Sequence, residues 1–306
     1  MAIQSLLTKK LRGLFFVFLI LGPAGERKAT ADDPAKIAVT VRQQSGWTVA
    51  ETPSFCCCVK QEATARNLAT ACEQWKQRLA QTWGPTTGIQ AWSPRCEIVV
   101  HASLAEYRST LGRPGDASVG STRLQFDGER VVLRRIDLRC DAADWCVAAL
   151  PHELTHVVLA EEFHNRPLPP WADEGIAMLS EVPHKQQQRM ADLRRTLQHR
   201  STYRIADLLA VRQLPPAHLR DAYYGQSLAL TSWMVERATP QGFARFLQAC
   251  DVMPFDEAIQ KELGLKSVAD LEREWRQWVH SPQSHHLVSL SPPLAAQATL
   301  AFARDE

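Results

Sequence analysis

The chain reads as an α+β protein, with an N-terminal mixed β-sheet carrying helices and a mostly α-helical C-terminal half. Two observations predict this. Between residues 37 and 135, short runs rich in β-branched residues are punctuated by Gly, Pro and Asp turn signals. Beyond Ala149, apolar residues recur with the 3.6-residue period almost to residue 280. The boundaries that follow are a targeting segment at 1–31, an α/β part at 32–141, a helical part at 142–280 and a flexible tail at 281–306. The 306 residues suffice for a substantial core. With 35 basic against 33 acidic residues the formal charge is +2, which offers no electrostatic footprint for nucleic acid.

Lys9, Lys10 and Arg12 precede an eight-residue apolar run, Leu14 to Leu21. That run is too short to span a bilayer and has the pattern of an export signal. Ala29-Thr30-Ala31 or Gly22-Pro23-Ala24 offers the cleavage site, the alternative being an uncleaved anchor, which would be the only membrane contact. The body is therefore expected in the periplasm, the cell envelope or outside the cell. Eight cysteines in an exported chain permit disulfides. Cys140 and Cys146 flank DAADW and could bridge. In the run Cys56-Cys57-Cys58, alternate thiols point to opposite faces of a strand, with Cys72 and Cys96 as partners or as fellow buried thiols.

Asp32 to Lys36 is a polar lead. Ile37–Val41 and Ser54–Val59 read as strands, separated by SGW and TP turn signals. Glu62–Trp83 is a helix, with Leu68, Cys72, Trp75 and Leu79 on one stripe, stopped by Gly84-Pro85. Cys96–His101 is a strand. Ser103–Leu111 is a helix with Ser103 as N-cap and Glu106 completing a capping box. A Gly/Pro-rich loop runs from Gly112 to Gly120. Asp127-Gly128 between two alternating runs marks a hairpin over Ser121–Arg135.

Ala149 to Glu181 organises the rest. It contains His152-Glu153-Leu154-Thr155-His156. Four positions apart on a helix, the two histidines share a face and can offer nitrogens to one ion about 2 Å away. Glu153 borders that ion and can take a proton from water activated there. Val147, Leu150, Leu154, Val157 and Val158 place the motif on an amphipathic helix, which Pro151 either opens or kinks. Pro167, Pro169 and Pro170 end it, and a second helix starts at Pro170-Trp171. Glu174, expected in that helix's first turn and 18 positions after His156, can supply a third ligand. Two histidines and a glutamate with an open fourth position form the catalytic rather than the structural zinc pattern.

The remaining chain reads as helices. His184–His199 is a polar helix over the site, its two terminal histidines solvated. Ile205–Ala210 is short. The helix carrying Tyr224 is expected to be capped by Asp221, and Gln241–Cys250, Asp256–Leu263 and Ser267–Val279 follow it. Gly264 is a C-cap, and Ser267 with Asp270 a capping-box variant.

HELTH followed by WADEG resembles the gluzincins, specifically the small peptidase MA-like domains, and is more distantly similar to the thermolysin and aminopeptidase N groups. The resemblance covers about residues 95–280. It implies a zincin, metalloprotease-like architecture with the active-site helix between the two halves. It also implies Zn²⁺ on His152, His156 and Glu174, Glu153 as general base, and an edge strand before the motif that accepts substrate backbone. The stretch Tyr224-Gly225-Gln226-Ser227-Leu228 matches a helix whose tyrosine donates to the oxyanion, assigning Tyr224 that role with Tyr223 as rival. Two departures matter. The spacing to Glu174 is shorter than in the large aminopeptidases, and no GxMEN-type segment precedes the motif. An aminopeptidase is therefore not inferred; endopeptidase action on peptides or proteins is the default expectation, and the chain is expected to be a monomer. The alternatives are a zinc amidase acting on cell-wall peptides and a catalytically silent scaffold that keeps the fold. Asp173, Glu161 and Asp144 are candidates to hold the imidazoles by their second nitrogens.

Overall fold

The computed structural model describes residues 37–84, 89–112, 118–128, 130–163 and 168–290. The signal-like segment, the polar lead, most of the Gly112–Gly120 loop, the His164–Pro167 reversal and residues 291–306 lie outside the described residues. The described residues form one compact unit. Among the described residues no helix is long and apolar enough to cross a membrane.

Six strands form one mixed sheet: β1 (Thr40–Gln44), β2 (Trp47–Glu51), β3 (Phe55–Val59), β4 (Cys96–His101), β5 (Gly120–Asp127) and β6 (Arg130–Arg139). Their order is β1-β2-β3-β4-β6-β5, with β3, β4 and β6 parallel and the other neighbours antiparallel. The first strand begins later than the Ile37–Val41 run suggests, and it pairs with β2, a strand not anticipated between the SGW and TP breaks. Its turn is Ser45-Gly46, both at positive φ, so the SGW signal is a tight hairpin rather than a loop.

Cys57, Ile98 and Ile136 lie side by side across β3, β4 and β6 and are fully buried. Helix α1 (Glu62–Trp83) packs on this sheet with Ala65, Leu68, Cys72, Trp75 and Leu79 buried. Cys57, Cys72 and Cys96 thus behave as small hydrophobes, and burial pushes their thiols up. The bridge expected between Cys140 and Cys146 is not formed: Cys140 is an exposed free thiol. A six-residue spacing permits that bridge but does not require it, because side-chain direction decides it.

Helix α2 (Leu104–Leu111) starts as expected at Ser103, whose hydroxyl accepts from the Glu106 N–H at 3.2 Å. The return bond differs: Glu106 accepts from the N–H of Ala102, not of Ser103. The hairpin at Asp127-Gly128 forms, with Gly128 at φ +60°, and leaves β5 on the sheet edge.

Among the described residues six α-helices follow α3 (Leu150–Glu162): α4 (Pro170–Leu179), α5 (Pro183–Gln198), α6 (Ile205–Ala210), α7 (Arg220–Ala249), α8 (Phe255–Leu263) and α9 (Val268–Val279). Helix α7 is the central post, against which α4, α5 and α8 pack. It runs through the region read as two helices but breaks at Thr239, the residue before Pro240, which sits at φ 64°. Asp221 does not cap it. The helix starts one residue earlier, and Asp221 pairs with Arg195 of α5 at 2.6 Å. A chain of edge-to-face rings, Trp83–Phe243–Trp171, joins the end of α1 to α7 and α4, so sheet and helices share one core. Residues 281–290 do not form the loose tail that their lost periodicity suggests. The Leu290 N–H donates to the Leu179 carbonyl at 2.8 Å, and Leu287, Val288 and Leu290 pack against the core.

Candidate metal centre

Residues Trp145–Ala149 form one π-type turn, in which the Leu150 N–H reaches back to the Trp145 carbonyl, and α3 continues from it. The wider turn shifts the helical phase. Trp145 and Ala148 are buried where the sequence stripe would have buried Val147, which is half-buried. Pro151 lies in the first turn of α3, directly after the π-type turn, and having no N–H it cannot continue the helical ladder back into that turn. The Thr155 hydroxyl donates to the Pro151 carbonyl at 2.7 Å and also bonds Ser180 at 2.9 Å, tying α3 to the end of α4.

Helix α4 carries Glu174 one position beyond its first turn, whose acid is Asp173. The next residue, Gly175, permits a close crossing. A Cβ there would lie 2.1 Å from Thr231 Oγ1 and 2.7 Å from the Ser227 carbonyl of α7. This contact seats α4 on α7 and leaves Glu174 about 100° round the helix from it.

Ligand atoms of His152, His156 and Glu174 lie within 4.8 Å of one another. His152 Nε2 is 3.4 Å from Glu174 Oε2, and the two imidazole rings are 5.0 Å apart at 76°. Both rings are backed by acids. His152 Nδ1 lies 2.8 Å from Glu181, and His156 Nδ1 lies 3.0 Å from Asp173. These are close contacts whose angles fall short of straight hydrogen bonds. Nε2 is left to each ring for a ligand role. Of the three acids considered from sequence, only Asp173 does this. Glu161 pairs with Arg134, and Asp144 pairs with Lys185 at 2.9 Å. Glu181 was missed, because its only sequence signal is an acid past the end of α4. It is held by Gln186, whose amide donates to the carbonyls of Met178, Leu179 and Glu181.

The electrostatics fit a cation. Burial opposes charge on His152, but Glu174 and Glu181 outweigh it and hold the imidazole well above its ordinary value. Burial likewise opposes charge on His156, yet Asp173 raises it to about 9. Burial pushes the Glu174 carboxyl up, but the facing histidines pull it below the usual range, so it is ionised. The protons that these anionic carboxylates draw onto two convergent imidazoles are what a divalent ion would replace. The donor set of two nitrogens and one oxygen suits zinc with an open position.

Glu153 is almost buried, at 9 % exposure, and its Oε2 accepts from the Thr122 hydroxyl of β5 at 2.6 Å. Gly120 makes that approach possible: a Cβ there would stand 2.8 Å from Glu153 Cγ. Neither Thr122 nor Gly120 was singled out from sequence. The edge position of β5 was the available hint. Tyr224 lines the same cleft, whereas Tyr223 is fully buried with no partner for its hydroxyl among the described residues. Burial and the charge on Glu174 push the Tyr224 phenol up to about 12, so it keeps its proton at neutral pH. The cleft measures about 1240 Å³, with β5 on one wall and α5 and α7 on the other.

The family model of the Peptidase MA superfamily matches residues 126–281, just over half of the chain, and spans β6, α3, α4 and the whole helical half. The chain belongs to the Peptidase MA superfamily. No curated protein matches it closely enough to add to that. As a Peptidase MA protein it has a peptidase-like ancestry, and its triad of possible metal ligands lies inside the matched segment.

Proposed function

We propose that the protein is a zinc-dependent peptidase that hydrolyses peptide bonds, with His152, His156 and Glu174 as ligands. One observation carries the reading: three donors from two helices converge within 4.8 Å, with an acid beside them that the cluster does not need. When bound, zinc would supply a Lewis acid and lower the pKa of water from about 16 to near 7. Glu153 takes the proton at Oε1, since Thr122 already occupies Oε2, and passes it to the leaving amine. Tyr224 donates its phenolic hydrogen to the developing oxyanion. Asp173 and Glu181 hold the imidazole orientation. Strand β5, on the sheet edge, offers backbone groups to an extended substrate, and the cleft has room for several residues of it. The Lys9–Leu21 pattern supports export of the body.

The test is metal analysis of the purified protein and of Glu153→Gln, with both exposed to a mixed peptide library. About one zinc in each, with cleavage by the parent alone, is the expected result. No zinc in either protein removes the proposal. Zinc in both without cleavage removes the peptidase reading.

A further inference from the structure

Two guanidinium groups in the cleft have no task in this mechanism. Arg189 of α5 lies over the Tyr224 ring, its Cζ 4.9 Å from the centroid. Arg220 opens α7 and lines the same cleft, with its Nε donating to the Pro215 carbonyl at 3.2 Å. Both charges act on the Tyr224 phenol, and that of Arg189 also acts on Glu174, so they stand on the triad's helical side. Among the described residues neither has a carboxylate within ion-pair distance, whereas Arg134, Arg135, Arg139, Arg195, Arg237 and Arg245 all do.

The acids of the cleft are already committed. Asp144 holds Lys185, Asp173 and Glu181 hold the imidazoles, Glu153 meets Thr122, and Glu174 belongs to the triad. The facing wall, from Ser118 to Leu124, contributes no charged side chain to the lining. Lys185, Arg189 and Arg220 line the cleft from the helical side, and among the described residues only Lys185 of these has a carboxylate within ion-pair distance. A guanidinium fork matches a carboxylate in shape and hydrogen-bond pattern better than it matches any neutral peptide group.

We propose that Arg189 and Arg220 form an anion subsite that selects peptides carrying a carboxylate. The source is either an acidic side chain or a free C-terminal carboxyl group. This rests on the peptidase reading for its substrate class, but its test does not depend on turnover. The zinc-loaded Glu153→Gln protein is titrated with fluorescent peptides of one neutral sequence. One has an amidated C-terminus, one a free C-terminal carboxylate, and a series is amidated with a single glutamate at successive positions. A carboxylate-bearing peptide is expected to bind about 10- to 100-fold tighter than the neutral amide at low salt. The ratio should shrink as salt rises. The arm that gains identifies the source.

Adding Arg189→Gln or Arg220→Gln should bring the ratio to within about threefold of one, and Arg189→Lys should retain part of it. Because the ratio compares two ligands on one protein, disturbance of Tyr224 by loss of Arg189 cancels. Equal binding of all peptides, no measurable binding, or a preference that survives both substitutions overturns the subsite. Parallel cleavage assays with the parent separate the two readings. A carboxylate preference without cleavage refutes the peptidase and leaves the subsite standing. Cleavage without a preference does the reverse.

Discussion

Two histidine–carboxylate groups in this molecule look alike in composition and differ in what they can do. In the sheet, His101 at the end of β4 places Nε2 2.9 Å from Asp137 and is 2 % exposed. Its ring packs edge-on to Tyr107, and its Nδ1 has no partner among the described residues. Asp137 is shared with Arg135. Burial pushes the Asp137 carboxyl up, but His101 and Arg135 together hold it at about 2. Arg135 compensates this carboxylate, and neither His101 nor Asp137 lines the cleft. In the cleft, His152 and His156 are held by Nδ1 and keep Nε2 beside a third, ionised donor. What separates a structural histidine from a candidate ligand is which nitrogen is engaged and whether the other meets open space.

That contrast can be broken by substitution. The largest effect is expected from His152→Ala or Glu174→Ala: zinc content falling from about one to near zero after dialysis, since three protein ligands become two. Glu153→Gln should keep zinc while kcat falls about 10²- to 10⁴-fold, read by peptide turnover. His101→Asn should lower stability by about 1–3 kcal/mol, because it removes a buried hydrogen bond to a carboxylate that Arg135 still compensates, and leave zinc stoichiometry unchanged. Denaturant melts beside metal analysis check this, and loss of zinc would erase the distinction drawn here. Asp173→Asn or Glu181→Gln should weaken zinc binding about 10- to 100-fold in competition with a chromogenic chelator.

The smallest effect is a pH dependence. His156 has its folded pKa raised from 6.5 to about 9 in the metal-free chain, and His152 is raised as well. Their stabilisation is fully present below about pH 6.5 and is lost as pH rises through about 9. Thermal melts of the metal-free protein should therefore decline over that window. Zinc affinity should climb across it, because the ion displaces protons. A flat profile in both would mean that the paired acids do not hold protons on the rings.

Much of this was legible in the residues. Helix α1 spans the residues its apolar stripe marks, β4 and α6 likewise, and the chain reverses at Gly128 beside Asp127, where the hairpin signal stands. These features are local: period, cap and turn chemistry act within a few residues. The misses are non-local. Strand β2 is defined by pairing with β1 and β3 more than by its own composition. The packing of residues 281–290 depends on Leu179 and Ser232, far away in the chain. Cys140 and Cys146 have a spacing that permits a bridge and a geometry that does not make one.

The primary structure alone determined that His152 and His156 share a helical face with Glu153 one step round, because helix geometry is set over four residues. It also determined where α4 must begin, because Pro167, Pro169 and Pro170 cannot extend α3. Only the tertiary structure decided that Glu174 meets those rings, that Glu181 rather than Glu161 or Asp144 backs His152, and that Thr122 and Gly120 hold Glu153. Each of these depends on how closely α4 lies on α7 and β5 on α3. Contact distances between elements are fixed by packing volume, to which no local pattern gives access.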